Sequence, residues 1–302
     1  MRCAALEQRL KGSIEIYAKL EFLQETGTFK PRGALSVLLG LNPDQLAAGV
    51  TAVSAGNHAI ATAFAARKLG TSAKVVMPRH ASPVRIQSCR DLGAELVLAD
   101  DVHSAFSTAE RIRDNEGRYL VHPFEGPRTA AGTGTLGLEL CDQLDCFDAV
   151  IVPVGGGGLC AGIASVVRQL RPQCEIFGVE PTGADSMYRS FLASAPVRLD
   201  KVTTIADSLG APYALPYSFA LCKESVKEMV LVTDEELRRA MGMLFQELRI
   251  AVEPACAAST AALMGPLAGR FKGRKVVLIL CGSNIDWATY ASQAHLRLRN
   301  VA

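Results

Sequence analysis

The sequence predicts an α/β protein built on largely parallel sheets. Short β-branched runs alternate with amphipathic segments along most of its 302 residues, the pattern of right-handed strand–helix–strand crossovers. Several runs are continuously apolar, as strands are when helices cover both faces of a sheet. No internal repeat, low-complexity tract or long Pro/Ser linker interrupts the alternation. In chain order, strands are expected over residues 14–19, 51–53, 74–77, 96–98, 149–154, 176–179 and 276–280. Amphipathic helices are expected over residues 58–69, 84–92 and 159–170, each between two of those strands. The crossover units form two groups, so a smaller unit over residues 42–123 is expected to be inserted in a larger one made of 1–41 plus 124–302. A cleft would separate them, and ligands in open α/β sheets sit at the carboxyl ends of strands.

Composition narrows the class of partner. Lys plus Arg is 32 against 30 for Asp plus Glu, a net charge of +2. That balance lacks the broad positive field that nucleic acid or anionic lipid binding usually needs, so a small-molecule ligand is expected. The nine cysteines include no C-x-x-C pair. Several lie in apolar stretches such as LILC, where a thiol acts as a small hydrophobe, and a reducing compartment is the natural setting. The opening MRCAALEQRLKG lacks the apolar run of a signal peptide, and no segment approaches the ~20 apolar residues of a membrane span. A soluble, cytoplasmic protein is expected.

Four motifs carry chemistry. In IVPVGGGGLCAGIAS a buried strand feeds Gly155, Gly156, Gly157 and Gly158 and then a small-residue helix. Glycines let backbone N–H groups approach a phosphate, and the helix start adds a positive dipole end. A dinucleotide reading competes, because Gly156, Gly158 and Ala161 fit G-x-G-x-x-A and Glu180 closes the next strand. In KLEFLQETGTFKPRGA, Lys30 sits between an aromatic residue and Pro-Arg-Gly. A lysine held in a cleft loses charge by desolvation, which suits covalent or general-base chemistry, although a solvated lysine before a helix reads the same. In VSAGNHAIATAFAARKLG, the residues Ser54 to His58 form a polar turn opening an Ala-rich helix. That turn can hold a carboxylate or simply cap the helix. In KVVLILCGSNID a buried strand presents Cys281 at its carboxyl end, with an ordinary turn as the plain alternative.

Together and in this order, these motifs resemble the fold-type II pyridoxal-phosphate enzymes, whose fold is that of the tryptophan synthase β chain. The chain is most similar to the serine/threonine dehydratase (ammonia-lyase) group, which also contains serine racemases. The resemblance extends through HPFEGPRTAAGTGTLGLEL, GVEPTGADSM, TIADSLG and VEPACAAS. It implies two open, twisted, mostly parallel sheets flanked by helices, and pyridoxal 5′-phosphate as cofactor. It implies that Lys30 bonds the cofactor, Phe29 packs near its ring, and Asn57 hydrogen-bonds the ring hydroxyl. Gly155 to Gly158 and the Leu159 backbone would cradle the phosphate, and Cys281 would stand opposite the ring nitrogen. Ser54, Ala55, Asn57 and His58 would receive the substrate carboxylate.

The implied reaction is loss of water from a 3-hydroxy amino acid such as L-threonine or L-serine, giving a 2-oxo acid and ammonia. Racemisation, another β-elimination or replacement (with hydroxyaspartate or phenylserine as substrate), and a ligand-binding protein without turnover are the alternatives. Racemases of the group carry a serine where this chain has Ala55, which favours elimination. Their divalent-cation site keeps Glu180 and Ala184 here but ends in Ser186, so no metal is expected. Thr133, Ser208, Thr28 and Pro31 also depart from the commonest residues of the group, and Thr133 and Ser208 are expected to alter the substrate pocket. The resemblance further implies a homodimer or homotetramer. The short WATYASQAHLRLRNVA tail implies no C-terminal regulatory domain, and the start is shorter than the group's usual one.

Overall fold

A computed structural model of the chain describes residues 1–79 and 81–294, with residues 102 and 103 described by backbone only. Residues 295–302, the end of the tail noted above, lie outside the described residues. Among the described residues, nine strands form two sheets. Strands β1 (Glu15–Leu20), β6 (Ala149–Pro153), β7 (Glu175–Pro181), β8 (Glu228–Val232) and β9 (Lys275–Leu280) make the larger sheet, in the order β1-β9-β6-β7-β8. Strands β2 (Val50–Val53), β3 (Ala73–Pro78), β4 (Glu95–Ala99) and β5 (Tyr119–Leu120) make the smaller one, in the order β4-β3-β2-β5. Every neighbouring pair is parallel. The chain therefore builds the two parallel sheets flanked by helices that its sequence predicts.

The apolar runs explain the layering. Every residue of β6 is buried, and Val150 and Ile151 pair with Val277 and Leu278 in the centre of the larger sheet. In the smaller sheet, alternation divides the side chains between two faces. Val75 and Met77 pack with Ala59 and Ala63 of helix Asn57–Leu69, while Val76 packs with Ala105, Ala109 and Ile112 of helix Val102–Glu116. Ala34, Val37 and Leu38 of helix Lys30–Leu38 bury with the smaller sheet, although the sequence reading grouped residues 1–41 with the larger unit.

Two strands escaped the sequence reading. β5 has two residues, too few to show a period, and β8 follows helix Pro216–Ser225 with only Val226 and Lys227 between. The nine cysteines are free thiols, all buried except Cys146. Among the described residues, no helix is long and apolar enough to cross a membrane.

Candidate active site

The carboxyl ends of β2, β6 and β9, and the segment following β1, converge on one cleft with about 240 Å³ of free volume. Phe29, Lys30, Ser54, Ala55, Asn57, His58, Gly155, Gly156, Gly157, Gly158, Leu159 and Cys281 all line it. Glu180 and Ala184, the retained positions of the divalent-cation pattern, lie elsewhere. Both oxygens of the buried Glu180 carboxylate accept backbone N–H groups, from Met187 at 2.9 Å and Tyr188 at 2.6 Å. Among the described residues, no group of three or more His, Cys, Asp or Glu side chains is placed to hold a metal ion.

Lys30 is the first residue of its helix, and Pro31 follows where a missing N–H costs nothing. The turn before it is stitched to the end of β9. Phe29 N–H donates to Cys281 O at 3.1 Å, Ser283 N–H donates to Gly27 O at 3.0 Å, and Thr28 bridges Gly282. The Lys30 ammonium donates to Pro123 O at 2.6 Å. Desolvation lowers its pKa to about 8, against smaller opposing effects of Cys281 and Glu253. A lysine so tuned is partly neutral near physiological pH and can act as a nucleophile or base.

The glycine run closes tightly around the opposite wall. Gly157 has φ +92°, the left-handed region that favours glycine, and opens helix Gly158–Leu170. A Cβ on Gly156 would sit 2.2 Å from the Phe124 ring, so only a bare backbone fits beneath that ring. The first-turn N–H groups of the helix have no intrahelical acceptor, which suits this end to an anion. Thr133 stands behind this wall, its hydroxyl donating to Gly158 O at 2.7 Å. It does not line the main cleft, because its helix packs its small face directly against the cradle helix; Ser208, by contrast, does line it.

The polar turn belongs to the smaller sheet. Ser54 Oγ accepts from Gly56 N–H at 3.0 Å, and helix Asn57–Leu69 starts immediately after. The buried His58 ring donates from Nε2 to Val121 O at 2.8 Å, which fixes a neutral tautomer, and burial lowers its pKa to about 3. His122 Nδ1 accepts from Phe124 and Glu125 N–H at 3.3 and 3.0 Å, and desolvation lowers its pKa to about 4. Contact with the Cys256 thiol, together with burial, holds Cys281 well above the ordinary thiol range, so it faces the cleft as a neutral S–H.

The structure adds residues to which sequence reasoning gave no role. Glu253 and Arg85 are buried at the cleft, with Asp207 beside them, and Phe106 and Phe124 supply apolar walls. VEPACAAS and TIADSLG were part of the sequence pattern, but nothing in them singled out Glu253 or Asp207. Arg85 looks like any helix-surface arginine.

The residues present fit pyridoxal phosphate. A half-buried lysine of lowered pKa, a side-chain-free glycine turn at a helix start and a neutral thiol surround a cleft bounded by aromatic and proline side chains. Residues 1–282 match the family described as pyridoxal-phosphate dependent enzyme. The chain belongs to that family. It is 55% identical over 273 residues to a phenylserine dehydratase of Ralstonia pickettii, covering 90% of this chain and 84% of that relative. Among solved structures it is similar to the processed threonine deaminase isoform 2 of Solanum lycopersicum (TM-score 0.92, 34% identity, covering 96% of this chain and 84% of that one). It is also similar to maize serine racemase (TM-score 0.91, 31% identity, covering 97% and 89%).

Proposed function

We propose that this pyridoxal-phosphate enzyme removes water from a 3-hydroxy amino acid bearing an aryl group at Cβ. The products are the corresponding 2-oxo acid and ammonia. The observation that carries the aryl preference is the apolar wall of the cleft, where Phe106 and Phe124 stand with Pro78, Leu209 and Pro212. The high identity to a phenylserine dehydratase supports it.

When bound, the cofactor supplies a carbonyl for the substrate amine and an electron sink for charge developing at Cα. This chain's residues do the rest. The Lys30 amine would take the Cα proton, and its pKa of about 8 suits transfer around neutral pH. The N–H groups opening helix Gly158–Leu170 hold the phosphate. The Ser54 hydroxyl and the turn N–H groups hold the substrate carboxylate, and Asn57 holds the cofactor's ring hydroxyl. Cys281, a neutral thiol, would not enforce a positive ring nitrogen, and that would favour prompt loss of a β-substituent. Ala55 offers no proton to the other face of Cα, so elimination is favoured over inversion. In this reading the cofactor-holding groups belong mainly to the larger unit (1–41 plus 124–302) and the carboxylate turn to the smaller (42–123). A cytoplasmic homodimer or homotetramer completes the proposal.

Turnover of phenylserine, threonine, serine and 3-hydroxyaspartate, followed by 2-oxo acid and ammonia release, tests this reading. Phenylserine should lead in kcat/KM, and Phe106→Ala should lower its advantage over threonine by about 3–10-fold, the worth of one aromatic contact. Serine or 3-hydroxyaspartate leading would overturn the aryl preference. Inversion of serine without ammonia release would overturn elimination.

A further inference from the structure

We propose that Arg85 is a positioning residue, pairing with the buried Glu253 carboxylate so that this anion fixes the orientation of the Asn57 amide in the cleft. Arg85 enters from the first turn of helix Pro83–Asp91, on the smaller sheet. Its side chain passes under Gly56, where a Cβ would lie 2.6 Å from Arg85 Cδ. The guanidinium then reaches three groups from the larger unit. Nε donates to Asn284 O at 3.2 Å, Nη1 pairs with Asp207, and Nη2 lies 3.6 Å from Glu253 Oε2.

Glu253 is 2% exposed, and a carboxylate so buried is costly unless paired and hydrogen-bonded. Its partners are Arg85, the Ser208 hydroxyl and the Asn57 Nδ2 group, which donates to Oε1 at 2.9 Å and Oε2 at 3.0 Å. An ionised carboxylate only accepts, so it must face the NH₂ side of the amide. From the other side, Asn284 Nδ2 donates to Asn57 Oδ1 at 2.9 Å and to Thr26 O at 2.8 Å, so Asn284 cannot flip either. One Asn57 N–H is thus held by Glu253. The other, 3.2 Å from Ser208 Oγ, is left toward the cleft with only a long bond.

Without Arg85 the buried carboxyl would favour its protonated form. A protonated carboxyl can donate, so Glu253 would no longer exclude the flipped amide, and Asn284 alone would hold Asn57 in place. Burial already raises the Glu253 pKa and Asp207 adds to that; Arg85 and the bonds from Asn57 and Ser208 oppose it. The remaining charged or titratable neighbours are Lys30, Asp286 beyond β9, and the thiols of Cys256 and Cys281.

The inference uses the cleft assigned above, but the amide orientation stands apart from the choice of substrate. The test is an infrared pH titration of the holoenzyme, following the carboxylic-acid C=O band that Glu253→Gln removes, alongside the acid limb of kcat/KM. In Arg85→Met both should move to higher pH by about 1–3 units, the effect of losing an adjacent opposite charge. Arg85→Lys should move them less. Asp207→Asn, on a half-exposed side chain, should move both downward, and it keeps the test decisive if Arg85→Met fails to fold. An infrared titration unmoved in these variants, or activity lost equally at all pH, would overturn the proposal. The infrared shift without turnover of any hydroxy amino acid would leave this inference standing and sink the proposed reaction.

Discussion

Lys30 shows how placement turns an ordinary side chain into a reactive one. Desolvation lowers its pKa from 10.5 to about 8 because the cleft offers little water and no close carboxylate contact. The neutral amine is the nucleophile, so its fraction rises as pH passes upward through about 8 and falls below it. The rate of pyridoxal-phosphate capture by the cofactor-free protein, read by visible absorbance, should therefore climb through that pH and level off above it. Lys30→Ala should abolish the absorbance of the lysine-bound cofactor and cut turnover by about 10²–10⁴-fold or more, the range of a lost acid–base group. A colour unchanged in that variant would remove Lys30 from the site.

The helix that begins with Lys30 is held by charge. Arg32 donates to both oxygens of Glu21, at 2.6 and 2.9 Å, and to both oxygens of Glu139, at 2.7 and 2.8 Å. It thereby ties its own helix to the turn Glu21–Leu23 after β1 and to helix Pro127–Gln143. Glu21 is 1% exposed, so removing Arg32 would leave a buried carboxylate without its cation. Arg32→Ala should cost about 3–5 kcal/mol in urea unfolding of the holoenzyme. A loss within ordinary surface values would show that Glu21 finds another partner. This anchorage has no local signature in the sequence, since Glu139 lies 107 residues further along.

Across the molecule, the cleft is built from both sheets, so a ligand filling it stabilises both together. Pyridoxal phosphate added to the cofactor-free protein at about 100 times its Kd should raise unfolding free energy by about 2.7 kcal/mol. Scanning calorimetry should show the Tm rise in the wild type and a much smaller rise in Lys30→Ala. No rise in the wild type would mean that the cofactor does not occupy the folded cleft.

The fold was legible because buried parallel strands must be continuously apolar and helices between them amphipathic, and both are local properties of the chain. The glycine quartet, Lys30 and the Ser54–His58 turn were legible for a similar reason: phosphate cradles and helix starts impose local residue types. Arg85, Glu253, Phe106 and the two-residue strand β5 carry no such local signature. Whether an arginine is solvated or buried against a carboxylate depends on which distant segment the fold brings beside it; Asp207 reaches Arg85 across 122 residues. The chain's own order thus determined the architecture and the kind of cofactor chemistry. Packing of the two sheets against each other determined which charges were stripped of water, and so which side chains are aligned for the reaction.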